Sequence, residues 1–120
     1  IRRQGMIAKK IRFHGYGALR FVYTKGKTVR VRFLSFKFHQ NNRREQCRLA
    51  VVVSKKVAKK APDRNRIRRR LYEAMRHELP NITSSHDMVI TVFDERVGSI
   101  PAEELNTLVK DLLKQAEITE

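Results

Sequence analysis

Apolar residues recur along this chain with several distinct rhythms, and each rhythm predicts a different element. From Ala18 to about Thr24, Leu19, Val22 and Tyr23 fall at i, i+3 and i+4, and Gly26 follows where a C-cap is expected, which predicts a short helix. Val29 to Phe38 is rich in β-branched and aromatic residues and reads as a strand with imperfect alternation. Val29, Val31 and Phe33 share one face, while Leu34, Phe36 and Phe38 share the other. A bulge near Phe33–Leu34 would turn both sets inward; without one, rings stand on both faces and one face is partly free for a ligand. A further short strand near Thr28–Val31 also suits the pattern.

The near-continuous apolar run Leu49 to Val53 predicts a central strand, and Met88 to Phe93 predicts another. Two longer helices are expected. The first runs from about Ala61 to Leu79, with Pro62 in its first turn and Pro80 ending it. The second starts around Ile100–Pro101 and carries Leu105, Leu108, Leu112 and Ala116 at three- and four-residue spacing, a core-facing stripe. The order α-β-β-α-β-α implies an α+β sandwich with helices packed on a sheet. Residues 1–12 are basic without periodicity and are expected to form a flexible arm ahead of a single domain at 13–117. Gly15 and Gly17 bracket a loop, and Asn41, Asn42, Arg43 and Arg44 make a polar turn.

Charge narrows the function. Among 120 residues, 27 Lys and Arg oppose 12 Asp and Glu, leaving a net charge of +15. That excess repels itself in a compact domain, so a polyanionic partner is the natural reason to keep it. No apolar run approaches the roughly eighteen residues of a membrane span, which favours nucleic acid over membrane. The single Cys47 excludes an internal disulfide and fits a reducing cytoplasm.

The basic residues concentrate in Ser54-Lys55-Lys56 and in the run Arg64 to Arg70. On a helical wheel with Arg64 at zero, Ile67, Leu71, Ala74 and Met75 cluster between roughly 280° and 20°, defining a buried stripe. Arg64 and Arg68 fall on its shoulder; Asn65, Arg69 and Arg76 line a second row; Arg66 and Arg70 point to the far side. An arginine on an apolar shoulder is costly unless paired, which suggests that an external anion completes the pairing. Its planar fork holds phosphate oxygens with two hydrogen bonds, as lysine cannot. A basic amphipathic helix also suits a membrane surface, but this stripe is narrow and carries no Trp or Phe.

A protein catalytic centre is not expected. His14, His39, His77 and His86 lie far apart, without ligand spacing. The carboxylates Glu45, Asp63, Glu73, Asp87, Asp94 and Glu95 are scattered, with no obvious acid–base pair or two-metal set.

The strand Arg48-Leu49-Ala50-Val51-Val52-Val53, the following Ser54-Lys55-Lys56-Val57 and the helix opening Arg64-Asn65-Arg66-Ile67-Arg68-Arg69 together resemble the protein component of bacterial ribonuclease P. The resemblance spans roughly residues 13 to 115, and the pair of motifs at this separation is its specific part. Leu19 stands where that family often has Phe, and Ala58 where many members have Gly. The resemblance implies a two-layer α/β sandwich with a left-handed βαβ crossover, like ribosomal protein S5 domain 2, in which the Arg-Asn-Arg helix is the crossover. It implies a catalytic RNA subunit that carries magnesium and cleaves the 5′ leader from precursor tRNA in the cytoplasm, with no cofactor on the protein itself and no membrane partner. The RNA-binding residues expected on this basis are Arg48, Lys55, Lys56, Arg64, Asn65, Arg66, Arg68, Arg69 and Arg76. The leader would enter the cleft between helix and sheet, with Tyr23, Phe36 and Phe38 as candidates for base stacking. A ribosome-associated structural RNA-binding protein is the second reading, sharing the charge but having no reason to carry both motifs.

Overall fold

The structure, a computed structural model, describes residues 22–41 and 47–119. Four strands, β1 (Lys27–Val31), β2 (Leu34–Gln40), β3 (Arg48–Val53) and β4 (His86–Val92), form one mixed sheet in the order β1-β2-β4-β3. Helices α1 (Ala61–Glu78) and α2 (Ala102–Ala116) pack on one face, giving the expected α+β layering. β3 and β4 run parallel, whereas β2 and β4 are antiparallel, so the chain must cross over between β3 and β4, and α1 is that crossover.

The run read as one strand from Val29 to Phe38 is a hairpin. Arg32 and Phe33 form the turn between the paired residues Val31 and Leu34, and Phe33 adopts a left-handed backbone with φ 70°. Reversal through the turn brings Val29 opposite Phe36, so both apolar sets face the helices without a bulge. Phe36 and Phe38 lie in this core at 0% and 6% exposure, their rings stacked at 5.2 Å. They therefore present no face to a ligand, contrary to the expectation that they stack on RNA bases. Each ring removes enough apolar surface from water to contribute about 1.5–3 kcal/mol to folding.

On α1, Ile67, Leu71, Ala74 and Met75 are the buried residues, the stripe that the spacing predicts. The α2 stripe is wider than expected: Val109 and Leu113 are buried beside Leu105, Leu112 and Ala116, while Leu108 is half-buried.

On the opposite face of the sheet, the helical turn at residues 22–25 sets Val22 against Ala50 and Val89. Gly26 closes this turn, its N–H donating to the Val22 carbonyl at 2.8 Å. A Cβ there would lie 2.5 Å from that oxygen and 2.9 Å from the Phe38 carbonyl, so the cap requires glycine. The arm at 1–12, the loop at Gly15 and Gly17, Leu19, and the turn residues Asn42, Arg43 and Arg44 lie outside the described residues.

Candidate nucleic-acid interface

Helix α1 starts without a side-chain N-cap, with Pro62 in its first turn and Asp63 near the positive end of its dipole. The preceding turn is closed by the Ser54 carbonyl, which accepts from the N–H groups of Val57 and Ala58. Lys55 and Lys56 stand exposed on it, and Lys59 and Lys60 add to the same cationic rim. Arg64 is half-buried, and its Nη1 donates to the carbonyls of Ala58 (3.0 Å) and Lys59 (2.7 Å). Loop carbonyls thus satisfy part of this guanidinium, where an external anion was expected to do so. One turn on, Arg68 donates to Asn65 Oδ1, so Asn65 orients its neighbour. Arg69 and Arg66 are exposed, and Arg76 pairs with Glu73 at 2.8 Å.

Two arginines are placed differently from the sequence reading. Arg70 does not point to the far side: its Nη1 donates to the Val97 carbonyl at 2.7 Å and its Nη2 to that of Ile100. Partial burial, with Arg66 nearby, pulls its pKa below the ordinary arginine value. Arg48 was expected on the RNA surface. Its Nε and Nη2 instead donate to the two oxygens of Asp87 at 2.9 and 2.7 Å, directly across the parallel β3–β4 register. Asn41 Nδ2 adds a bond to the same carboxylate at 2.9 Å. Both side chains are largely withdrawn from solvent, so this fork serves the fold.

The outer face of the sheet holds the second cationic surface. Tyr23 is 41% exposed, with Lys37 Nζ 5.9 Å from its ring centroid. Phe93, two residues past Thr91 on the same face, is 52% exposed with the Arg30 guanidinium 5.0 Å from its centroid. Sequence reading missed Phe93 and Arg30 as a pair. The signal was present in the period of two along β4, where Asp87, Val89, Thr91 and Phe93 share a face opposite the buried Met88, Ile90 and Val92. Phe93 also lines a groove with Lys56, Lys59 and Lys60, so the outer face and the turn before α1 form one continuous surface. At its edge Asp94 accepts from Arg96 through side chain and backbone, which holds its carboxyl down at about 2.

Cys47 sits at the sheet end with its thiol against the Ser84 carbonyl and the His86 N–H, and burial pushes its pKa up. Among the described residues, no three His, Cys, Asp or Glu side chains come together to hold a metal ion, and no helix is long and apolar enough to cross a membrane.

A small, strongly basic α+β scaffold with an arginine-rich crossover helix and an aromatic, cation-flanked sheet face defines the class of compact RNA-binding proteins. The family profile described as Ribonuclease P matches residues 7–117. The chain belongs to the ribonuclease P protein family and is a protein component of that endoribonuclease complex. It is 36% identical over 98 residues to the ribonuclease P protein component of Pseudanabaena sp. (strain PCC 6903), covering 81% of this chain and 83% of that one. It is 42% identical over 74 residues to that of Chloroflexus aurantiacus, covering 62% of this chain and 54% of the relative. The fold matches the Staphylococcus aureus RNase P protein with a TM-score of 0.80 at 22% identity, over 92% of this chain and 98% of that one.

Proposed function

We propose that α1 and the turn before it grip a catalytic RNA, while the outer face of the sheet receives the single-stranded 5′ leader of precursor tRNA. The observation that carries this division is the pair of exposed rings, Tyr23 and Phe93, each beside a cation on a face otherwise made of sheet. Stacking on a ring is tolerant of base identity, which suits leaders of varied sequence, and the flanking Lys37 and Arg30 meet the backbone charge. Arg68, Arg69 and Arg64, with Lys55 and Lys56, neutralise phosphates of the RNA subunit. The protein's part is to bind, orient and screen charge; the RNA, with its magnesium, hydrolyses the phosphodiester. The complex works in the cytoplasm.

The test places a photo-crosslinking residue at 93 or at 69 in the reconstituted holoenzyme. Position 93 should capture the leader of precursor tRNA, and position 69 the RNA subunit. Capture of the RNA subunit alone from position 93 would overturn the division.

A further inference from the structure

The run Arg68-Arg69-Arg70 invites one reading for all three residues, yet Arg70 does something different. Its two terminal nitrogens reach the carbonyls of Val97 and Ile100, either side of the end of the 3₁₀ turn at Glu95–Gly98 and just before α2. Two further observations make that turn a seat for α1. Val97 and Gly98 are buried under the helix. A Cβ on Gly98 would stand 3.2 Å from Ile67 Cγ1, so the backbone approaches α1 closely enough that a side chain there would need Ile67 to give by a few tenths of an ångström. On the groove facing Ala102, Leu105 and Asn106 of α2, Arg70 stands with Glu73 and His77, and Arg69 lines the edge of the same groove. Arg64 and Arg68 project from the other flank, about 120–160° round the helix from Arg70.

We propose that Arg70 is a positioning residue for RNA binding: its fork pins α1 to the 95–100 turn and so fixes the rotation at which Arg64, Arg68 and Arg69 meet the RNA. A stripe of four buried side chains resists lateral shift, but small rotations about the helix axis are resisted weakly by apolar contacts, which lack direction. Two hydrogen bonds from one planar group to two fixed carbonyls supply that direction. A rotation of about 20° at the helix surface moves a guanidinium at the end of a long side chain by several ångström, enough to break bidentate geometry. The inference rests on the reading that α1 holds the RNA subunit.

Arg70→Lys separates the alternatives, because it keeps the charge and loses the fork. The measurement is the affinity of the full-length protein for a bacterial ribonuclease P RNA transcript over a salt series, alongside thermal unfolding, with Arg64→Ala and Arg68→Ala in parallel. The expected result is an affinity loss of about tenfold for Arg70→Lys at any one salt, with the slope of log affinity against log salt unchanged. Arg70→Met should lose at least as much. Wild-type affinity in Arg70→Lys, together with a reduced slope in Arg70→Met, would make Arg70 a phosphate contact and overturn the proposal. Wild-type affinity in both, with only melting lowered, would make its role purely structural and equally overturn it. If Arg64→Ala and Arg68→Ala bind normally while Arg70→Lys is weakened, the clamp assignment falls and the proposal that Arg70 sets its rotation falls with it, whereas the first two outcomes overturn the proposal with the clamp intact.

Discussion

Removing the ring of Phe93 and removing the ring of Phe36 should have opposite consequences, although one phenylalanine lies on β2 and the other directly after its neighbour β4. Phe36 is fully buried, stacked on Phe38 and paired with Ile90 across the sheet. Truncation to alanine there costs about 3–5 kcal/mol, the transfer of the ring plus the cavity it leaves. At about 4 °C per kcal/mol for a chain of 120 residues, melting falls by on the order of 12–20 °C. That approaches the whole stability of a small domain, so Phe36→Leu is the informative companion variant. Phe93 is 52% exposed with one face under Arg30, and substitutions at such positions change stability by about half a kcal/mol or less. A base stacked on it contributes about 1–3 kcal/mol, so Phe93→Ala should weaken leader-bearing substrate roughly five- to 150-fold and leave leaderless substrate untouched. The assay is holoenzyme affinity for precursor tRNA with and without its leader, with thermal unfolding of the free protein beside it. Phe93→Ala melting far below wild type, or discriminating leader from no leader as well as wild type does, would refute the assignment. So would a Phe36→Leu variant that keeps its melting temperature and loses leader affinity.

Arg64→Ala and Arg68→Ala should each weaken the catalytic RNA and lower the salt slope by roughly one unit for each phosphate left without its arginine, with Arg66→Ala doing less; equal slopes in all three and wild type would rule out a phosphate clamp. Arg48→Met should destabilise folding by about 3 kcal/mol, read in denaturant melts, because it removes the cation paired with the buried Asp87 carboxylate; an unchanged midpoint would mean that hydrogen bonds such as that from Asn41 satisfy the carboxylate without it. The Asp94 carboxyl should titrate at about 2, and Arg96→Ala should return it toward 3.8, as followed by side-chain NMR. Because its folded pKa is depressed, the Asp94–Arg96 contact favours folding above the ordinary carboxylate range and loses that influence as pH falls toward 2. Purified protein should leave precursor tRNA intact at low magnesium until a bacterial ribonuclease P RNA is added; metal-dependent leader removal by protein alone would end the division of labour proposed above.

Much of the architecture was legible in the sequence because periodicity is a local signal. The stripe Ile67, Leu71, Ala74 and Met75 could be counted off a wheel, and Gly26 marked a cap whose geometry demands glycine. The hairpin was harder. Its turn, Arg32-Phe33, contains none of the glycine, asparagine or aspartate that usually announces a left-handed residue. Phe33 holds that conformation while its ring lies under the guanidinium groups of Arg32 (4.5 Å) and Arg96 (4.9 Å). Arg96 comes from the far end of the domain, beyond the reach of any local pattern around Phe33. Long separations also explain the misplaced arginines. Arg48 meets Asp87 only because β3 and β4 run parallel, and Arg70 meets Val97 and Ile100 only because α1 lies on the later turn. A wheel ranks residues by angle to the core, and it does not say which neighbour waits at the other flank. Phe93 is hidden for a simpler reason: in the apolar run Met88 to Phe93 its ring looks like one more core residue, and only the period of two from Thr91 sets it on the outer face.

Strand β4 has a further consequence for how the chain is made. It is the last of the four strands to be synthesised, and it lies inside the sheet, joining the β1–β2 hairpin to β3, which pairs with no other strand among the described residues. Phe36 waits for Ile90 and Ala50 for Val89, so neither half of the sheet closes until residues 86–92 have left the ribosome. Until then β2 and β3 each expose an unpaired edge and an apolar face, while the arginine-rich helix that follows β3 has already been made. Non-local pairing of this kind slows folding and leaves the nascent chain open to wrong partners. Shortening the β3–β4 crossover, or a ribosome stall before residue 86, should therefore affect the yield of folded protein more than any single surface substitution does.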